Sequence, residues 1–300
     1  MENIAYDIII IGCGPAGMTA AIYARRLNLS CLVLENGAPG GMMVNTEEIA
    51  NYPGFSKING VDLSLAMYDQ MMGLGTVHEA SLVRSIKKEN DLFIVSSDEK
   101  KYYGKSVIIA TGTKNRTLGI EHEKEYFYRG ISWCAICDGP LYKGKDVAVI
   151  GGGNSALSSA ITLSKFTSKV YLIHRRNEFR GDPILVDKVK QIDNIEIIYN
   201  SNVVGFSGKP LEKITVLNND GTQKELKVSC CFEAIGRLPN SDFVDCEKDN
   251  EGFIIVDEKM ETSIPGIFAC GDVIKKGLRQ IATAINDGAI AAMSASSYLK

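Results

Sequence analysis

The stretch Asp7-Ile8-Ile9-Ile10-Ile11-Gly12-Cys13-Gly14-Pro15-Ala16-Gly17 decides the fold. Its β-branched run reads as a short strand buried on both faces, because no polar residue alternates with the isoleucines. The run enters a glycine-rich turn, then an Ala-rich helical stretch from Ala16 to Leu27, then another apolar strand from Cys31 to Leu34. That is a βαβ unit. The same shape returns at Asp146-Val147-Ala148-Val149-Ile150-Gly151, followed by a helical stretch from Ser155 to Phe166 and a strand from Val170 to Ile173. A chain of 300 residues is comfortable for two domains. The repetition predicts an α/β fold of two Rossmann-like, three-layer nucleotide-binding domains.

Other strand-like runs lie between and after the two units. Leu92-Phe93-Ile94-Val95 is one; Val107-Ile108-Ile109-Ala110 is another and leads into Thr111-Gly112-Thr113. A similar strand-to-turn pattern recurs at Cys231-Phe232-Glu233-Ala234-Ile235-Gly236-Arg237, and the Ala-rich tail from Ile281 to Leu299 reads as a helix. The simplest arrangement inserts the second domain, residues 114–244, into the first, residues 1–113 and 245–300.

The two turns differ where selectivity is decided. In the first, Gly12 permits the tight turn, Gly14 lets the backbone approach a pyrophosphate, and Gly17 lets helix and strand pack closely. Glu35 ends the next strand, placed to accept ribose hydroxyls and to repel a 2′-phosphate. The second turn, Gly151-Gly152-Gly153-Asn154-Ser155-Ala156, is a GxGxxA variant. Its following strand ends in His174-Arg175-Arg176, with Arg180 shortly after. Guanidinium groups grip phosphate as planar, charge-assisted forks. At about 1.5–3 kcal/mol per contact, two of them favour NADPH over NADH by about two to four powers of ten. The plainer reading of the cluster is a solvated basic strand end. The first domain is thus expected to hold a dinucleotide without a 2′-phosphate and the second NADPH. FAD in the first completes an electron path.

Between the fingerprints stands Cys134-Ala135-Ile136-Cys137-Asp138-Gly139. A Cys-x-x-Cys pair can close a small disulfide ring and accept two electrons. It can also be two buried thiols or half a zinc site, although adjacent Cys230 and Cys231 lack the spacing of a second ligand pair. Departing thiolates need a proton, and the nearest source is Asp138, whose other reading is a turn or cap residue beside Gly139. Trp133 and Arg129 are each either local packing or loop charge, or part of a partner-facing surface. The net charge of -3 leaves no basic footprint for nucleic acid. The N-terminus lacks the pattern of a secretory leader, and the isoleucine run is too short to span a membrane. A cytoplasmic chain with eight cysteines is not expected to carry a disulfide framework.

These blocks together closely resemble the low-molecular-weight thioredoxin reductases of bacteria over nearly the whole chain. The resemblance rests on Gly12 to Gly17, Gly40-Gly41, Asn51-Tyr52-Pro53-Gly54, Ala110-Thr111-Gly112 and Cys134 to Gly139. It continues through Gly151 to Ala156, His174 to Arg180, Ala234-Ile235-Gly236, Thr262 to Asp272, and Arg279-Gln280-Ile281. It implies that FAD is bound by the first fingerprint with Glu35, Gly40, Gly41, Asn51, Thr111, Gly112, Asp272, Arg279, Gln280 and Ile281. NADPH would be bound by the second fingerprint with the arginine cluster and Ile235. It implies that Cys137 faces the flavin, Cys134 attacks the thioredoxin disulfide, and Asp138 is the acid/base. It also implies a homodimer whose NADPH domain swings between turnover steps. The chain departs from the family at Met42, where Gln is usual, at Ser158 and Ser159, where acidic residues are usual, and in the linker from Glu121 to Arg129. Rival readings are a flavin dithiol oxidase, a ferredoxin-fed reductase and a redox sensor without turnover. The first two need no clamp for a 2′-phosphate.

Overall fold

Ile8, Ile9, Ile10 and Ile11 lie in strand β1 (Ala5–Ile11), and all four are buried. Successive side chains of a strand point to opposite faces. Accordingly Ile8 and Ile10 pack with the helices, whereas Ile9 and Ile11 join a second core on the other face. Full burial of such a side chain is worth about 1.5–3 kcal/mol, which is why the run tolerates no polar residue. The computed structural model describes residues 5–46 and 48–300. The N-terminal residues expected to hold no leader fall partly outside them, at 1–4. No helix among the described residues is long and apolar enough to cross a membrane.

From β1 the chain runs through α1 (Pro15–Arg26), β2 (Cys31–Glu35), α2 (Gly60–Gly73), β3 (Val77–Ala80), β4 (Val83–Glu89), β5 (Leu92–Ser97) and β6 (Lys101–Ile109). These strands form one sheet in the order β3-β2-β1-β6-β5-β4. The first three junctions are parallel and the β6-β5-β4 portion is antiparallel. A short strand, β7 (Thr113–Asn115), then carries the chain out of this unit.

The second unit, Asn115–Arg237, repeats the plan. Strand β8 (Ile131–Ser132) and the one-turn helix α3 (Ala135–Asp138) precede β9 (Asp146–Ile150), α4 (Asn154–Leu163) and β10 (Lys169–Ile173). Helix α5 (Pro183–Lys190) and β11 (Ile195–Ile198) follow. Then come a three-stranded antiparallel meander of β12 (Ser201–Ser207), β13 (Lys213–Asn218) and β14 (Gln223–Lys227), and finally β15 (Cys230–Glu233). The main sheet is parallel, in the order β11-β10-β9-β15-β8.

The chain returns through β16 (Arg237–Pro239), which pairs with β7. The first unit comprises Met1–Lys114 and Leu238–Lys300. It regains the chain at Leu238, ahead of the residue 245 suggested by sequence. The reason is packing: Phe243 and Val244 belong to the core beneath β1. Strand β17 (Ile267–Ala269) then adds to the distal half of β6, and α6 (Ile281–Tyr298) packs on α1.

Candidate active site

At the first fingerprint, Gly12 has φ +106°, and a Cβ there would collide with the Ala110 carbonyl. Helix α1 begins at Pro15 with Gly14 as its N-cap and no side chain capping it, so its first amides stay open to an anion. A second glycine pair closes on this turn. Gly40 donates its N–H to the Cys13 carbonyl at 2.7 Å, and a Cβ on Gly41 would stand 3.3 Å from the Gly14 Cα. Side chains at these positions would fill the cradle, and their absence fits a pyrophosphate lying across it. Glu35 is fixed at the end of β2, accepting from the Cys13 N–H at 2.8 Å and the Gly37 N–H at 2.9 Å.

Residues far apart in sequence meet around this unit. Asn51 donates to the Gln280 side chain at 2.9 Å, although 229 positions separate them. Gln280 also caps α6 in a reciprocal box with Thr283, so Ile281 starts the helix. Thr111 and Gly112 are tied to Asn240: the Thr111 hydroxyl donates to its carbonyl at 2.6 Å, and the Asn240 N–H donates to the Gly112 carbonyl at 3.0 Å. Asp272 lies 3.7 Å from the Lys276 ammonium, which also donates to buried Asp287 at 2.7 Å. Arg279 donates to the backbone carbonyls of Lys276 and Ile274 and lies over the Phe253 ring, 4.2 Å from its centroid. Sequence reasoning singled out neither Asn240, whose partner Thr111 lies 129 positions away, nor Lys276, whose carboxylate partners lie on its own segment.

The second fingerprint is built alike. Gly151 has φ +146°, and a Cβ there would strike the Ala234 carbonyl. Helix α4 has Gly153 as its N-cap and no side-chain cap, and Ala156 is buried beneath the turn. Asn154 and Asp182 exchange hydrogen bonds at 2.9 and 2.7 Å, and the Arg180 N–H donates to the Gly152 carbonyl at 2.8 Å. The loop bearing the arginines is thus strapped to the glycine turn that Ser155 follows. Arg175, Arg176 and Arg180 are exposed. His174 is placed differently: its ring is 4% exposed and lies directly under Gly152, supporting the turn. Burial, then the neighbouring arginines, hold its pKa below the usual histidine value. Ile235 is half-buried just beyond β15.

Cys134 and Cys137 are joined as a disulfide around the single turn of α3. The Cys134 sulfur accepts the Cys137 N–H at 3.2 Å. Ser132 is the residue that sequence reasoning missed here. Its hydroxyl donates to the Asp138 carboxylate at 2.5 Å and accepts the Cys134 N–H at 3.1 Å, so it links the acid to the first cysteine. Burial raises the Asp138 pKa against the opposing pull of that hydrogen bond. A carboxyl so placed keeps its proton above the ordinary range and can pass it to a departing thiolate. The other six cysteines are buried. Trp133 packs edge-on to Phe127 and Tyr128, with centroids 4.8 and 5.6 Å away, and Arg129 is exposed.

Residues 6–288 match the family described as pyridine nucleotide-disulphide oxidoreductase. A thioredoxin reductase of Mycoplasma genitalium is 42% identical over 298 residues, covering 97% of this chain and 95% of the relative. One from Bacillus subtilis is 40% identical over 304 residues, covering 100% and 96%. The crystal structure of a thioredoxin reductase from Streptococcus pyogenes matches with a TM-score of 0.92 at 42% identity, covering 99% of each chain. The chain belongs to the pyridine nucleotide-disulphide oxidoreductases, within the thioredoxin reductase family.

Proposed function

We propose that this chain reduces the disulfide of thioredoxin with electrons from NADPH, relayed by FAD and the Cys134–Cys137 pair. One observation carries the reading. The disulfide shares a unit with the arginine-flanked fingerprint, whereas the carboxylate-flanked fingerprint lies in the other unit. FAD is assigned to the first unit, where Gly12, Gly14, Pro15, Ala16 and Gly17 present the helix amides and Gly40 and Gly41 close the cradle. There Glu35 takes the ribose hydroxyls, while Asn51, Thr111, Gly112, Asp272, Arg279, Gln280 and Ile281 line the rest. NADPH is assigned to the second unit, on Gly151, Gly153, Asn154, Ser155 and Ala156, with Arg175, Arg176 and Arg180 on the 2′-phosphate. His174 supports that turn and Ile235 borders it. Bound FAD supplies two-electron transfer between NADPH and the dithiol.

The chain's own residues do the thiol chemistry. Reduction of the Cys134–Cys137 bond takes two electrons and gives two sulfurs, one protonated through Asp138. The Cys134 thiolate then attacks the thioredoxin disulfide, forming a mixed disulfide and expelling one thioredoxin thiolate. Cys137 attacks Cys134 in that intermediate, releases the second thioredoxin thiol and restores the internal bond. The protein is read as a cytoplasmic homodimer that engages neither membrane nor nucleic acid. The net charge of -3 argues against nucleic acid, and an exposed apolar stripe of Val61, Leu65 and Met72 on α2 supports the dimer.

An NADPH-consumption assay tests the activity. Sustained oxidation is expected only when thioredoxin is present. Cys134→Ser and Cys137→Ser should each abolish that turnover while NADPH still bleaches the flavin. Wild-type-like turnover in either variant, or a wild-type flavin that NADPH does not bleach, overturns the reading.

A further inference from the structure

Behind the dithiol lies a pair of carboxyl groups that the reaction above does not use. Glu233 ends β15 and is 2% exposed; Glu123, in the single turn Glu123–Tyr126, is 3% exposed. Both Glu123 oxygens already accept backbone N–H groups, from Leu118 and Gly119, each at 2.7 Å. Neither Glu233 oxygen finds a donor among the described residues, and the buried indole nitrogen of Trp133 finds no acceptor within bonding geometry. Two buried carboxylates facing each other would leave both charges uncompensated. One proton removes the conflict. Each Glu123 oxygen already accepts one backbone N–H and keeps a lone pair free, so the proton belongs on Glu233, which then donates to Glu123.

The groups acting on Glu233 come from each side of it. Glu123 repels its charge and takes a hydrogen bond from its protonated form, and the Trp133 indole N–H favours the ionised form. The Cys231 thiol lies on the same strand, where burial holds it protonated. Ile150 faces Glu233 from β9 and carries no charge. None of these neighbours is a cation. Burial first, then Glu123, pushes the Glu233 pKa up to about 9.

The position of the pair gives it a role. Phe232 is in register with Ser132, so Glu233 stands beside the segment from Trp133 to Cys134. Ser132 and Cys134 are the residues that organise Asp138. We propose that Glu233 is a positioning residue for the dithiol: its protonated carboxyl, bonded to Glu123, holds Trp133 in place and so fixes the strand end from which Cys134 projects. Loss of that proton sets the Glu233 and Glu123 charges against each other and draws the Trp133 indole N–H toward the Glu233 carboxylate, which shifts the ring. The dithiol support loosens as pH rises. This rests on reading Cys134–Cys137 as the redox pair.

Trp133 is the only tryptophan, so its emission reports on the pair directly. The holoenzyme is titrated from pH 6.5 to 10.5 in its disulfide form without substrates, so that neither active-site thiol ionises. Wild-type emission should change in a one-proton step centred near pH 9, and in Glu233→Gln, whose amide donates to Glu123 at every pH, that step should vanish. Turnover with thioredoxin should fall across the same step in wild type but not in Glu233→Gln, with the KM for NADPH unchanged. Flat wild-type emission, or a step that survives in Glu233→Gln, overturns the proposal. Should that variant fail to fold, Glu123→Gln decides: its midpoint must move below the wild-type value, and an unmoved midpoint sinks the idea. The emission arm needs no turnover, so it stands or falls separately from the thioredoxin activity.

Discussion

Asp138, the acid proposed here, shows how burial can turn a common turn residue into a proton donor. A solvated aspartate beside a glycine would be ionised at neutral pH and useless as a proton source. Here burial raises its pKa, and the Ser132 hydroxyl aims it while also holding the Cys134 amide. Asp138→Asn should therefore slow thioredoxin-linked turnover by about 100-fold, the low end of acid–base contributions, while flavin reduction by NADPH proceeds as before. The protonated acid is present below the raised pKa and is lost as pH rises through it, so the wild-type advantage narrows toward alkaline pH. Stability moves the same way: the raised pKa stabilises the fold fully below the ordinary carboxylate value, and that contribution disappears as pH rises through the folded-state pKa. Stopped-flow traces at several pH values check this; equal rates for wild type and variant throughout would make Asp138 a turn residue only.

At the scale of elements, helix α2 carries the clearest unmet demand. Leu63, Met67 and Met71 are buried against the first unit, while Val61, Leu65 and Met72 stand exposed on the opposite side. A helix that is apolar on both faces has a second surface to cover, and in the homodimer proposed above a second copy would cover it. Leu65→Glu should weaken the dimer by about 2 kcal/mol or more, roughly 30-fold in dissociation constant. Sedimentation across a dilution series reads this; an unchanged mass distribution argues against α2 as the interface. The elements themselves were legible where neighbours in sequence are neighbours in space. Strand, glycine turn and helix follow one another in both βαβ units, and burial on both faces writes residues 8–11 of β1 and 147–150 of β9 as unbroken apolar runs. The meander of β12, β13 and β14 was not, because only five of its eighteen residues are buried and the apolar pattern is diluted. The return to the first unit at Leu238 was hidden for another reason: only the fold shows Val244 entering the core beneath β1. The site divides the same way. Cys134 to Asp138 are local and could be read directly. Ser132 beneath Asp138, Asn240 on Thr111 and Glu233 against Glu123 are meetings made by tertiary structure, and no spacing announces them.

For the whole molecule, the two fingerprints pose one sorting problem: two dinucleotides must each find the right unit. Their glycine turns are near copies, each with an uncapped helix start, so the pyrophosphate alone cannot decide. What differs is the end of the next strand. Glu35 there is a carboxylate locked by two backbone N–H groups, which a 2′-phosphate would meet at close range. Arg175, Arg176 and Arg180 stand exposed at the equivalent place in the other unit, on a loop strapped to its glycine turn by the Arg180 amide and the Asn154–Asp182 pair. On the proposed assignment, charge at one strand end sorts what shape cannot. Arg175→Ala combined with Arg176→Ala should raise the KM for NADPH by about two powers of ten, at roughly 1.5 kcal/mol for each lost charge-assisted contact. The KM for NADH, which lacks the 2′-phosphate, should change less than threefold. Flavin content per chain should not change, because the cradle proposed for FAD lies in the other unit. Steady-state kinetics with both coenzymes and a flavin absorbance reading separate the outcomes. Equal losses with NADH and NADPH would show that the arginines act on the shared pyrophosphate, and a drop in flavin content would show that the two sites are not independent.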